Sequence, residues 1–243
     1  MDNRRFKEQA QPILQRALLY ARNRLPLKAA NKFYLNKNVT NEWMVTDPNR
    51  YLLHTVSMDK LRNQKLRELR EYNSNPKHYC QKLDQDYRNG IKNPGNCGEN
   101  AMLAFSYLAN HVHGLQKKVK DPVRILRIYL KMPVDHALVL VGTWKGPGSH
   151  QLLENTLVCD PWAKIVCPID TYSIYWQAKM KKWSDRGLKG YHGSQIYDFY
   201  QDRCTRESII HGKVVLTEQA LQGVTKLLHD PRCYSLMDRN VFS

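Results

Sequence analysis

"VRILRIYLK", Val123 to Lys131, interleaves Arg124 and Arg127 with β-branched and other apolar residues and reads as a half-buried strand. "DHALVLVGT", Asp135 to Thr143, follows Pro133 and reads as a second strand. "GPGS", Gly146 to Ser149, is a turn. "LLENTLVCD", Leu152 to Asp160, and "AKIVCP", Ala163 to Pro168, read as a third and fourth strand. Short connections between such strands predict an antiparallel meander, because parallel neighbours need long crossovers.

The chain upstream is helical. Ile13, Leu14, Ala17, Leu18 and Ala21 make one apolar stripe over residues 1–24. A polar, Asn-rich connection then runs to about Asn41. Asp47-Pro48 is a good helix start, with Asp as N-cap and Pro at the first helical position. Leu52, Leu53, Val56, Leu61, Leu66 and Leu69 continue that stripe to about Tyr72, where "NSNP" stops it. "NPGNCGENAMLAFSYLA", Asn93 to Ala109, predicts a helix from Cys97 to about His111. Beyond the strands, helices are expected over Thr171–Lys182 and Thr217–Leu228, and "GYHGSQ", Gly190 to Gln195, reads as a loop. Helices first and then a run of strands argue for α+β, not a doubly wound sheet. The natural cut is a basic helical N-terminal region, 1–75, followed by a core with C-terminal helices, 76–243.

Composition narrows the function classes. The 243 residues carry Lys+Arg 38 against Asp+Glu 22, a formal charge of +16. Such an excess favours acidic partners, whether protein, nucleic acid or anionic lipid. No zinc-finger spacing, RNP-like aromatic motif or basic zipper accompanies it, so no motif supports nucleic acid. "KLRNQKLRELRE" reads as the wet side of an amphipathic helix. Cys80, Cys97, Cys159, Cys167, Cys204 and Cys233 form no CxxC pair. That disfavours a disulfide scaffold and a structural zinc site, and a reducing compartment is the simpler expectation. No apolar run reaches the roughly 20 residues of a membrane helix, so a soluble chain with no transmembrane segment is expected. Neither metal nor cofactor is called for. Nothing in the sequence sets an oligomeric state.

Cys97 opens its helix, where unpaired N–H groups and the helix dipole favour negative charge. The thiolate is the reactive form of cysteine, and the same N–H groups can hold an oxyanion. A nucleophile of this kind wants a base, and a base wants an orienting acceptor. His136 enters an apolar strand, a placement that asks for partners. Asp160 closes the next strand, and in an antiparallel pair the start of one lies beside the end of the other. Asp135 and Asp170 are the other nearby carboxylates. Cys159 and Cys167 read as core residues of strands. Trp162 reads as a shield over the site or as ordinary core.

"GNCGENAMLAFSYL", "DHALVLVG" and "VCDPWAK", in that order, resemble the nucleophile, histidine and aspartate blocks of the papain-like and transglutaminase-like Cys-His-Asp superfamily. The resemblance is closest to bacterial effector and toxin cysteine proteases, glutamine deamidases and transglutaminases. It covers roughly Asn93 to Pro168. It implies a nucleophile helix packed on an antiparallel sheet, with Cys97 as nucleophile, His136 as general base and acid, and Asp160 as orienter. It implies a thioester formed on a host protein, and export without a cleaved signal from the bacterial cytoplasm into a reducing host cytoplasm. Papain-like proteases usually place an oxyanion glutamine just before the cysteine; Asn93 and Asn96 stand there instead. The rival expectation is non-enzymatic: a basic binding module on a degenerate version of this fold, recruiting an acidic protein, nucleic acid or a membrane surface.

Overall fold

A computed structural model of the chain describes residues 3–27, 29, 31–34, 42, 45, 46, 48, 56–72, 76–119, 123–130, 136–143, 155–192 and 195–200. The elements are α1 (Asn3–Arg24), β1 (Lys32–Tyr34), α2 (Val56–Arg70), α3 (Pro76–Arg88), α4 (Cys97–Gln116), β2 (Val123–Leu130), β3 (His136–Thr143), β4 (Thr156–Asp160) and β5 (Ile165–Pro168). A 3-10 turn (Ile169–Thr171), α5 (Tyr172–Asp185), β6 (Leu188–His192) and β7 (Gln195–Asp198) follow. The class is α+β, with two antiparallel sheets. The helix start at Asp47, the turn at 146–149, the first residues of the third predicted strand and the helix from Thr217 lie outside the described residues. No described helix is long and apolar enough to cross a membrane.

The chain divides into two compact units. Among the described residues, the first takes α1 up to Arg22 together with Cys97–Trp176; the second takes Asn23–Asn96 and Gln177–Tyr200. The sequence reading cut once, near residue 75. Burial explains why α1 groups with the later strands: its stripe of Phe6, Ala10, Leu14, Ala17 and Leu18 belongs to one core cluster with Ala101, Ala104 and Leu108 of α4. Ile125, Ala137, Val139, Val141, Leu157 and Cys159 of the strands complete that cluster.

The first unit is built on the four-stranded meander β2-β3-β4-β5. Every residue of β3 and β4 is buried, which is why β3 is an almost unbroken apolar run. Edge strand β2 keeps Arg124 and Arg127 half-buried, as edges commonly do. Helix α4 packs on β2, β3 and β4, and the small side chains of Ala101 and Ala104 allow close approach. Truncating a core side chain such as Leu140 to Ala costs about 2–5 kcal/mol by transfer and cavity terms.

The second unit holds the sheet β1-β6-β7 and helices α2 and α3. Helix α3 escapes the sequence reading, which treats "NSNP" as a stop; Pro76 is also the first residue of this next helix, where a missing N–H costs nothing. The expected loop at Gly190–Gln195 is a correction: His192 pairs with Gln195, so most of the stretch lies in a β6–β7 hairpin. Gly190 sits where a Cβ would run into the Tyr197 ring, so the glycine there reflects close packing within a strand. Asp198 closes β7 and gathers three donors: Lys189 Nζ at 2.6 Å, Ser184 Oγ at 2.6 Å and the Tyr200 N–H at 2.8 Å.

Candidate active site

Register brings the site together. Val139 of β3 pairs with Cys159 of β4. His136, which begins β3, and Asp160, which ends β4, therefore lie at the same end of the sheet. His136 Nε2 lies 2.8 Å from Asp160 Oδ2, with side-chain exposures of only 2% and 0%. A carboxylate in this pair can only accept, so Nε2 carries the proton. The ring's other nitrogen, Nδ1, is then the one left for Cys97, whose side chain lies close enough to raise the imidazole's proton affinity. Cys97 is the first residue of α4 and is half-buried.

Asp160 does two jobs. Its Oδ1 accepts the Ala163 N–H at 3.0 Å and so holds the turn between β4 and β5. That turn closes through Lys164 in the left-handed region at φ 60. Its Oδ2 accepts the Tyr172 hydroxyl at 2.7 Å as well as the imidazole. The aspartate-proline signal in "CDPWA" thus marks a turn and a histidine partner at once.

Two indoles wall the imidazole. The Trp162 and Trp176 ring centroids lie 5.1 Å and 4.7 Å from that of His136, near enough for aromatic faces to favour an imidazolium. Both tryptophans are buried. Trp176 also stacks on Tyr172, with centroids 5.8 Å apart.

Electrostatics follow from this packing. Burial alone would lower the pKa of His136. The Asp160 charge and hydrogen bond, with smaller help from Cys97, outweigh it and raise that pKa from 6.5 to about 10. Burial also disfavours the Asp160 carboxylate, yet the His136 charge and the donors from His136, Ala163 and Tyr172 hold its pKa below the usual range. Burial, followed by the charge of Asp160, pushes the Tyr172 phenol well above its ordinary value. Burial pushes the Cys159 thiol up and the Cys167 thiol to about 12, as expected of inert core thiols.

Asn93 and Asn96 serve other partners. Asn93 Nδ2 donates to Asp86 Oδ2 at 2.8 Å, and the Asn93 carbonyl accepts the Leu27 N–H at 3.3 Å. Asn96 Oδ1 accepts the Asn31 N–H at 3.3 Å. These bonds lie within the second unit and fix the segment that leads into α4. Among the described residues, no cluster of three or more His, Cys, Asp or Glu side chains has the makings of a metal site.

Sequence reasoning missed Tyr172 and Trp176. The available signal was an aromatic pair one helical turn apart, the spacing that puts two side chains on one face. It is diluted by Tyr175 and Trp183 on the same helix.

Comparison of the chain with family models, curated proteins and solved structures finds no match.

Proposed function

We propose that the chain is a cysteine-dependent amide-processing enzyme, a protease, glutamine deamidase or transglutaminase, acting on a protein substrate through a thioester. The observation that carries this reading is the buried His136–Asp160 pair, with Cys97 at the start of α4 near enough to act on the imidazole. The same order of nucleophile, base and orienter underlies the papain-like and transglutaminase-like resemblance, and the packing of α4 on an antiparallel sheet supports that reading.

The Cys97 proton passes to His136, whose raised proton affinity suits it to receive it. The sulfur attacks the carbonyl carbon, an S–C bond forms, and the carbonyl π pair moves to oxygen. N–H groups of the first turn of α4, which have no intrahelical acceptor, are the donors proposed for that oxyanion. The oxyanion collapses, the C–N bond breaks, and the imidazolium delivers its proton to the departing nitrogen. Water or an amine then attacks the thioester, gives a proton to His136, and Cys97 leaves and is reprotonated. Asp160 keeps the imidazole in the tautomer and orientation each step needs.

The net charge of +16 favours an acidic substrate surface. Cys80, Cys97, Cys159 and Cys167 form no disulfide, in keeping with a reducing host cytoplasm reached by a bacterial effector.

The test compares wild type with Cys97→Ala. Intact-mass analysis of host-lysate proteins separates cleavage, amide-to-acid conversion and cross-linking. The wild type is expected to produce one of these, and the variant none while keeping its fold. Iodoacetamide is expected to label Cys97 ahead of the other thiols. Equal slow labelling of all thiols, with identical lysate masses for both proteins, would sink the reading.

A further inference from the structure

Helix α5 sets two aromatic side chains, one turn apart, against the His136–Asp160 pair. Trp176 supplies an indole to the imidazole, and Tyr172 supplies a hydroxyl to the carboxylate. Tyr172 is 1% exposed. A buried tyrosine always seeks a partner for its O–H, so burial alone says little. The informative fact is which oxygen it chose. Tyr172 donates to Oδ2, the oxygen that also accepts His136 Nε2–H, while Oδ1 is taken by the Ala163 N–H. Three donors on two oxygens prevent the carboxylate from rotating without breaking a bond. Two donors on one oxygen also divide the negative charge it offers to each.

We propose that Tyr172 is a positioning residue of the Cys97–His136–Asp160 site, whose hydroxyl fixes Asp160 Oδ2 against the imidazole and shares the charge that this oxygen presents to it. The inference rests on the cysteine-enzyme reading given above. Tyr172 acts through Asp160 and touches no reacting atom. Among the described residues, Cys97 of α4 and Cys167 of β5 also act on Tyr172, Cys159 of β4 feels the Asp160 charge, and Asp170 acts on Cys167.

The experiment measures the rate of Cys97 alkylation by iodoacetamide against pH, read by peptide mass. Its upper inflection reports the pH at which His136 gives up its proton. Tyr172→Phe leaves Oδ2 with one donor, so the imidazolium is held more tightly. The inflection is expected to move up by roughly half a pH unit or more. In an Asp160→Asn background the charged acceptor is gone, and Tyr172→Phe is expected to leave the inflection where it was. 3,5-Difluorotyrosine placed at 172 keeps the ring and strengthens the donor. It should move the inflection down, and it serves if Tyr172→Phe does not fold. A Tyr172→Phe profile that superimposes on wild type overturns the inference, as does an equal shift with and without the Asp160 carboxylate. Wild-type Cys97 that reacts no faster than the core thiols takes down the cysteine-enzyme reading itself. A normal wild-type profile that neither Tyr172 change moves removes only the positioning role.

Discussion

Asp160 and Asp198 are wired almost alike. Each is the last residue of a strand, β4 in one case and β7 in the other. Each accepts a backbone N–H a few residues on, from Ala163 or Tyr200. Each accepts a hydroxyl from α5, Tyr172 at 2.7 Å or Ser184 at 2.6 Å. Each takes a third bond from a basic side chain, His136 at 2.8 Å or Lys189 at 2.6 Å. The third partner and the solvent separate them. The His136–Asp160 side chains are 2% and 0% exposed, against 27% and 11% for Lys189–Asp198. An imidazole keeps a second ring nitrogen that can take up and hand on a proton while the first holds the carboxylate, and an ammonium offers donors only. Hydrogen-bond count therefore does not mark a site. The identity of the base and the depth of burial are what set the proposed site apart.

Asp160→Asn should break the comparison most sharply. It removes the charge that holds a buried imidazolium, and a severed buried pair costs about 3–5 kcal/mol. Turnover should fall by roughly 10²–10⁴, since an amide no longer enforces the tautomer. Urea midpoints and single-turnover rates read the two losses separately. A stable, fully active Asp160→Asn would show that the pair is only structural.

The next effect is in pH. His136 binds its proton more tightly folded than unfolded, so its contribution is complete below 6.5 and lost as pH rises through about 10. Asp160 has the opposite sign: its contribution is present above 3.8 and lost as pH falls through its depressed folded value. Unfolding free energy should therefore decline between 6.5 and about 10, and Asp160→Asn should flatten that decline. Denaturant titrations at the two ends of this window read the slope.

The smallest effect is expected at Asp198. Its partner Lys189 is partly solvated, and Asp198→Asn should cost about 1 kcal/mol or less and change turnover less than about twofold. A loss matching that of Asp160→Asn would erase the distinction drawn between the two carboxylates.

The meander is legible in the sequence because each of its strands is short, apolar and bounded by a turn signal. The first helix is legible through the stripe of Ile13, Leu14, Ala17, Leu18 and Ala21. Its allegiance is not: amphipathicity tells which face is buried and never against what. Cys97, His136 and Asp160 can be picked out because each stands at the end of an element, where backbone geometry gives a polar group a reason to be there. Tyr172 cannot, because an aromatic residue in a helix is ordinary until its hydroxyl is seen on Asp160 Oδ2. The "GYHGSQ" hairpin is missed because glycine weighs toward a loop, although a two-residue connection such as Gly193-Ser194 is itself a hairpin signal.

The nearest-neighbour order β2-β3-β4-β5 also has a consequence in time. Each pairing joins consecutive strands, so the sheet can grow from its N-terminal side as the chain is made. The thiol at the start of α4 leaves the ribosome first. His136 follows, then Asp160, and the Tyr172 hydroxyl last. On the proposed cysteine-enzyme reading, a nascent chain therefore carries its nucleophile well before the group that receives the proton, and becomes competent only when β4 has paired and α5 has formed. Truncations ending before Asp160 should contain an unactivated cysteine, and synthesis itself then acts as the safety catch on its reactivity.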